Sequence, residues 1–419
     1  MLAVIAIPAS AIDYTISFTA SGAATTVTNV EVQNLTQNTS VVSPAGAPVI
    51  LTVTTATPNL KENSRNLKIY PNPMTEKSIV SFYSEFGGKT DITVYGMDGR
   101  TIIRTTKNLE AGTNQFRLSL PQGVFTLQIN ENGMLHIGTV ISQTMNKAEL
   151  DFSLAEHTVT KPLQKVKSSV TLGYTIGDQL LFKGYSGDYC TIVTLKPSGN
   201  TTLNFNFVDC RDTDGNNYAV VHIGTQTWMA ENLKTTKYRN GDGIATTTKT
   251  TIPNDNTSCF QWASKNDEKN VAKYGRLYTW WAATDARGIA PAGWHVPTDA
   301  EWTTLENYLI ANGYNFDGTT TGNKIANSMA ATTDWMSYTE EGTPGYNMKK
   351  NNSSGFTALP AGDRVTYGSF FGFGSLVRWQ SSSEEGTFAW IRYLGYGNNF
   401  NTRSTSSKIA GYSVRCVKD

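Results

Sequence analysis

Pro291-Ala292-Gly293-Trp294-His295-Val296-Pro297-Thr298-Asp299-Ala300-Glu301-Trp302 is the stretch on which the fold turns. Its second half starts a helix. Thr298 followed three positions later by Glu301 is a capping box, in which the Thr hydroxyl accepts from the N3 amide while the Glu carboxylate reaches back to the cap amide. Trp302, Leu305 and Leu309 then share one helical face, and Gly313 is the stop. A second helix is expected over 274–284 and a short one over 323–330. His295, alone between Trp294 and Val296, reads as a hydrogen-bonded core residue, and Glu301 needs no role beyond the cap. Tryptophan occurs nine times, always between Trp228 and Trp390, so a distinct aromatic unit is expected over 208–419.

Working outward from there, the rest of the chain reads as strand. In 13–60, Ile16, Phe18, Val27, Val30 and Val32 alternate with polar residues, and Pro44, Gly46 and Pro48 break the pattern before a further strand at 50–54. In 64–143, about seven short strands are punctuated by turn residues, as in a β-sandwich. Asp98-Gly99 supplies the positive φ that a tight hairpin requires. Residues 144–207 continue in the same style, as a small β domain or an extension of the preceding sandwich. At the start, the apolar residues 2–7 followed by Ala9-Ser10-Ala11 read 1–12 as the tail of an export signal, with an apolar first strand as the alternative.

The totals agree with β structure. Hydrophobic residues make up 39% and charged residues 16%, which suits many short strands and is poor for helical bundles. The net charge is +1 with no basic stripe, which sets aside nucleic-acid binding. No apolar run approaches a membrane span, so no membrane insertion is expected. Oligomeric state leaves no mark on the sequence. The four cysteines and four histidines are scattered, without metal-ligand spacing, and no cofactor is expected. In an exported protein a Cys190–Cys210 disulfide is the first expectation, because the two flank a hairpin-sized segment. Cys259–Cys416 is the second, and buried free thiols are the remaining alternative. Asp212-x-Asp214-x-Asn216 opens like a calcium loop, but its sixth and twelfth positions are Asn217 and Ile223 in place of Gly and Glu, so a β-turn is the simpler account. Calcium elsewhere is left open and unassigned.

Two resemblances sharpen the picture. Tyr70-Pro71-Asn72-Pro73, Val94-Tyr95 with Asp98-Gly99-Arg100, Leu109-Glu110-Ala111-Gly112-Thr113-Asn114 and Leu120-Pro121-Gln122-Gly123-Val124-Phe125 resemble, in order, the C-terminal sorting module of the Bacteroidetes type IX secretion system. Here the module is internal, where the family places it at the C-terminus. Asp214-Gly215-Asn216-Asn217-Tyr218, residues 223–233, Tyr274-Gly275-Arg276-Leu277-Tyr278, the Pro291–Trp302 stretch and Gly411-Tyr412-Ser413-Val414-Arg415-Cys416-Val417 resemble the Fibrobacter succinogenes major paralogous domain of bacterial surface proteins. Many of its members carry Cys where this chain has Ala290. The same landmarks echo the C-type-lectin-like fold of formylglycine-generating enzymes. That resemblance implies an α+β domain whose first and last strands pair, with loop-rich segments presenting a ligand face.

The expected architecture is therefore mainly β and multi-domain: N-terminal β-sandwich modules, then an α+β C-type-lectin-like domain. Within 368–407, Tyr393, Tyr396, Asn398, Asn399, Asn401 and Arg403 lie among glycines and polar residues. Tyr gives rigid contact area and Asn and Arg give directional bonds, so these six are the candidate ligand contacts. Trp379, Trp390 and Tyr412 read as core. Formylglycine-type oxidation needs paired reactive cysteines that this domain lacks, so no enzyme is expected. The expected function is a secreted or surface adhesin or receptor that recognises a glycan or a surface protein. The alternatives are a polysaccharide-binding accessory and a structural surface or appendage component.

Overall fold

The computed structural model describes residues 13–53, 67–84, 88–110, 112–131, 134–144, 151–158 and 169–419. It divides into two units, Ala56–Val166 and the remainder, so the smaller unit is an insertion within the larger.

The smaller unit is a two-sheet sandwich. One sheet runs Met134–Ser142, Gly123–Glu131, Gly88–Gly96, Thr101–Leu109, and the other Asp151–Thr158, Gly112–Ser119, Ser78–Ser84, Lys68–Tyr70. Alternation puts Val80, Phe82, Ile92, Val94, Phe116, Leu118, Leu127 and Ile129 between the sheets, nearly fully buried. Gly99 takes φ 77° in the expected hairpin turn, and the Arg100 amide donates to Asp98 Oδ1 at 3.1 Å. The strand Asp151–Thr158 pairs with Gly112–Ser119 and so completes this sandwich.

The later part of 144–207 does something else. Val170–Tyr174 pairs in parallel with Val49–Val53, and Thr201–Phe207 pairs in parallel with Asp13–Gly22. Leu180–Ser186 pairs with Asn29–Asn34. Residues 13–53 and 170–207 thus form one sandwich around Ile16, Val30, Val49, Leu51, Leu172, Tyr174, Phe182 and Phe205, in place of the two separate modules expected. Gly184 is required there: a Cβ would meet the Phe205 ring at 2.4 Å.

This sandwich continues into the C-terminal domain. Tyr189–Leu195 pairs in parallel with Val220–Ile223, and the resulting eight-stranded sheet ends on Gln226–Met229, Val417–Lys418 and Trp294–His295. Leu181 and Ile192 belong to the same apolar cluster as Val221, Trp228 and Trp302. A boundary at 208 is a change of sequence character within one continuous core.

In the C-terminal domain the helix Asp299–Ala311 starts with the expected capping box: Thr298 Oγ1 accepts from the Glu301 amide at 3.2 Å, and Glu301 Oε2 accepts from the Thr298 amide at 2.7 Å. Its buried face carries Trp302, Leu305, Glu306 and Leu309. Trp302 packs against Trp228, Phe356 and Trp379 at ring-centroid distances of 4.7, 6.0 and 5.5 Å. The helix expected over 274–284 is interrupted. Short helices Val271–Tyr274 and Trp280–Ala283 flank a strand, Arg276–Tyr278. The break is Gly275, at φ 76°, where the chain runs so close to Asn232 and Leu233 that a Cβ would sit 2.7 Å from the Asn232 side chain. The helix expected over 323–330 shrinks to Ala326–Met329.

The closing motif is anchored by a buried cation. Arg415 is 1% exposed, donates from Nε and Nη2 to Asn232 Oδ1 at 3.3 and 3.1 Å and from Nη1 to the Phe356 carbonyl, and lies 4.3 Å over the Phe356 ring. Trp379 Nε1 donates to the same Asn232 oxygen at 2.9 Å. Burial draws the Arg415 guanidinium below its usual range, with Glu231 pulling the other way.

Candidate functional site

The six residues singled out by composition separate into two groups. Tyr393 lies half-buried in strand Phe388–Gly395, and Tyr396 and Asn398 lie in the turn that follows. Together with Tyr338, Ser375, Leu376, Gly395 and Gly397 they line a pocket of about 310 Å³. Tyr338 and Tyr396 meet edge to face, centroids 5.4 Å apart at 84°. Backbone bonds set this geometry: the Tyr396 amide donates to Ser375 O at 2.8 Å, Gly345 N to Tyr396 O at 2.9 Å, and Tyr338 N to Gly345 O at 3.0 Å. Met336, Tyr338 and Tyr346 are 52%, 40% and 39% exposed, so the pocket opens among solvent-facing apolar side chains. Tyr393 lies beneath Arg378, whose guanidinium is 5.5 Å from the ring centre and ion-pairs with the buried Asp363.

Asn401 and Arg403 are engaged by carboxylates of the helix Asp299–Ala311, and Asn399 is outside the pocket lining. Asn401 is 2% exposed and donates from Nδ2 to Glu306 Oε1 at 2.8 Å. Arg403 forks onto Asp299, Nε to Oδ1 at 3.0 Å and Nη2 to Oδ2 at 2.8 Å, and stacks 3.5 Å over Trp390. Asn399 gives its carbonyl to the Ala326 amide at 3.2 Å. Trp379 and Tyr412 are core as expected, whereas Trp390 is only half-buried beneath Arg403. Beneath these sits Arg392, fully buried, bonded to Asp299 Oδ1 and to Glu306 Oε1, each at 2.6 Å. Burial pushes the Glu306 carboxyl up, against the pull of Arg392. Asp299, whose burial alone would raise it, is held low by Arg403 and Arg392.

A larger cleft, about 830 Å³, lies elsewhere in the domain, and sequence composition gave no warning of it. Trp280 and Trp281, perpendicular at 5.1 Å, form part of its wall, with Arg239, Cys259, Asp285, His295 and Glu384 around them. Arg287 grips Asp285 and holds its carboxyl down to about 2. Lys408 pairs with Glu384 at 2.7 Å. Burial pushes the Cys259 thiol up, away from reactive thiolate.

His295 is better connected than a lone core histidine. Its Nδ1 is 2.6 Å from Asp419 Oδ1 and its Nε2 2.8 Å from Glu301 Oε1. Burial alone would lower its pKa, but the bonds to Asp419 and Glu301 outweigh it and hold the imidazole above its usual value. Only the charged ring donates from both nitrogens. A raised folded-state pKa contributes stability that is complete below the unfolded value of about 6.5 and is lost as pH rises through the folded value. Thermal midpoints measured from pH 5.5 to 8.5 are therefore expected to fall with rising pH in the wild type and to lose this component of the slope in His295→Gln. The effect is small, within ~1 kcal/mol, because His295 itself is more than a third exposed.

The four cysteines are free thiols. Cys190 faces Tyr185 across its hairpin, whereas Cys210 lies in a second apolar cluster with Tyr218, Trp294, Ala290 and Cys416, so the Cys190–Cys210 bridge expected from spacing does not form. Nor does Cys259–Cys416: Cys416 is fully buried and Cys259 sits on the cleft against Asn256 and Asp285. The carboxylates of the calcium-like opening are taken by the chain itself. Asp212 accepts from the amides of Asp214 and Asn216, and Asp214 from Thr236 and Thr235.

No helix among the described residues is long and apolar enough to cross a membrane. Among curated proteins, none matches the chain. Residues 68–143, the insertion sandwich, match the family model of the secretion system C-terminal sorting domain, and residues 221–418, which carry both clefts, match that of the Fibrobacter succinogenes major domain.

Proposed function

We propose that the chain is a non-catalytic recognition protein of the cell exterior, and that its tyrosine pocket takes a saccharide. A sorting domain of this kind points to a secreted or cell-surface protein. The observation that carries the proposal is the convergence of Tyr338, Tyr393, Tyr396 and Asn398 on one small open pocket. Tyrosine faces offer rigid apolar area with a polar tip, and an amide offers both a donor and an acceptor, which is the chemistry of a sugar ring with its hydroxyls. The domain follows a C-type-lectin-like plan in this proposal. The pairing of Trp228 with Val417, which joins an early strand to the last, supports that plan, as does the position of the pocket on loop-rich chain between helix and terminal strand.

The ionisable groups of the larger cleft favour binding over catalysis. Asp285 is held ionised by Arg287, Glu384 is paired with Lys408, Cys259 is held as thiol, and both ring nitrogens of His295 are engaged by Glu301 and Asp419. General acid–base or nucleophilic work needs a group poised near the working pH and free to reach a substrate.

The test is binding of the full chain to glycan and surface-protein arrays, with and without calcium. Tyr338→Ala and Tyr396→Ala are expected to weaken a specific glycan signal by ~10-fold or more. Signal confined to proteins, or glycan binding indifferent to both substitutions, would move the site. Silence on every array would favour a structural role.

A further inference from the structure

The larger cleft plays no part in the tyrosine pocket, and its charges are arranged in a particular way. Asp285 is neutralised by Arg287, Glu384 by Lys408, and His295 lies between Glu301 and Asp419. Arg239 differs from these. Its Nε donates to the Ala290 carbonyl at 3.2 Å and Nη2 to the Trp294 carbonyl at 3.3 Å, and among the described residues no carboxylate is within ion-pair distance of it. Those two carbonyls hold the guanidinium in place while leaving Nη1 uncommitted. Gly288, at φ +72°, adds to this: even a Cβ there would press to 3.3 Å on the guanidinium carbon, so the bare backbone lets the group lie flat against the loop. A cation this well oriented, exposed and without an acidic partner is prepared for an anion from outside the chain.

We propose that this cleft is a second saccharide site, selective for sugars that carry an anionic substituent: the substituent meets Arg239 and the sugar ring lies against Trp281. Trp281 is half-buried, held perpendicular to Trp280, with its indole N–H on Asn254 Oδ1 at 3.3 Å, so the ring is fixed and its orientation costs little on binding. Asn256, Thr284 and Ser382 around the rim supply donors and acceptors for sugar hydroxyls. The cleft is concave and its volume of about 830 Å³ fits a small ligand better than a flat protein face. This inference goes beyond the tyrosine pocket and stands on different residues.

The test titrates the full chain, by calorimetry, with a galacturonate trimer, a sulfated disaccharide and a neutral galactose trimer. At least one acidic sugar is expected to bind, with the neutral one weaker by ~10-fold or more, and the two acidic arms tell carboxylate from sulfate. Arg239→Gln is expected to lower acidic-sugar affinity by ~10- to 100-fold. Arg239→Lys, which keeps charge and loses the fork, falls between, and Trp281→Ala loses ~10-fold. Tyr396→Ala leaves acidic-sugar binding unchanged. No acidic sugar bound, equal affinity for the neutral trimer, or an Arg239→Gln variant of wild-type affinity would each overturn the proposal. Loss of acidic-sugar binding in Tyr396→Ala would assign that ligand to the tyrosine pocket, overturning this inference while leaving the recognition function standing.

Discussion

Arg392→Ala is expected to destabilise the C-terminal domain by ~3–5 kcal/mol, the cost of stripping the partner from a buried charge. Arg392 is fully buried and holds both Asp299, in the first turn of the helix, and Glu306, two turns further along its buried face. Asp299 keeps Arg403 when Arg392 is lost, but among the described residues Glu306 keeps only the Asn401 amide, and it is 8% exposed. An ionised carboxylate stranded there either unfolds its surroundings or takes up a proton. Arg392→Met with Glu306→Leu removes both charges and is expected to recover most of the loss, since paired removal of a buried ion pair is often near neutral. Urea denaturation followed by tryptophan fluorescence measures this cleanly, because all nine tryptophans lie between Trp228 and Trp390 and the insertion sandwich is silent. A single-mutant midpoint equal to wild type would show that the network contributes nothing net.

Trp302→Ala is expected to cost a similar ~3–5 kcal/mol for a different reason, the cavity left by a large ring in a core that cannot collapse around it. Trp302 is fully buried between Trp228, Phe356 and Trp379, and those three also contact one another or Arg415. Trp302→Phe keeps most of the packing and removes an indole N–H that has no acceptor among the described residues. It should therefore cost less than ~1.5 kcal/mol. Midpoints for the two variants that coincide would refute the packing account.

What could be read from the chain was what is local. The capping box at Thr298, the apolar face of Trp302, Leu305 and Leu309 and the Asp98-Gly99 hairpin all depend on residues within a few positions of each other, and all are present. What was not legible shares a distance. Asn401 and Arg403 have a composition typical of binding loops, but their partners, Glu306 and Asp299, lie 95 and 104 residues upstream. Tyr338, which completes the pocket, sits in no motif and is brought against the Tyr396 ring by loop-to-loop backbone bonds at Gly345. Gly275 looked compatible with a helix until Asn232 arrived beside it. The larger cleft is assembled from segments between Arg239 and Glu384, none of which is unusual alone.

The parallel pairing of Val49–Val53 with Val170–Tyr174, and of Asp13–Gly22 with Thr201–Phe207, has a consequence for how the molecule is made. The ribosome delivers the first four strands long before their neighbours exist, and the whole of Ala56–Val166 must be synthesised in the interval. The nascent N-terminal strands stand through that time with open edges and unburied Val, Ile and Phe, an arrangement prone to pairing with the wrong chain. The eight-stranded sheet closes only when Val417–Lys418 arrives, so domain-by-domain folding during synthesis is denied to the larger unit. Only the insertion sandwich, whose strands all pair among themselves, can mature early. Until its late strands are made, the open edges of Asp13–Gly22 and Val49–Val53 are where this chain is most exposed to mispairing.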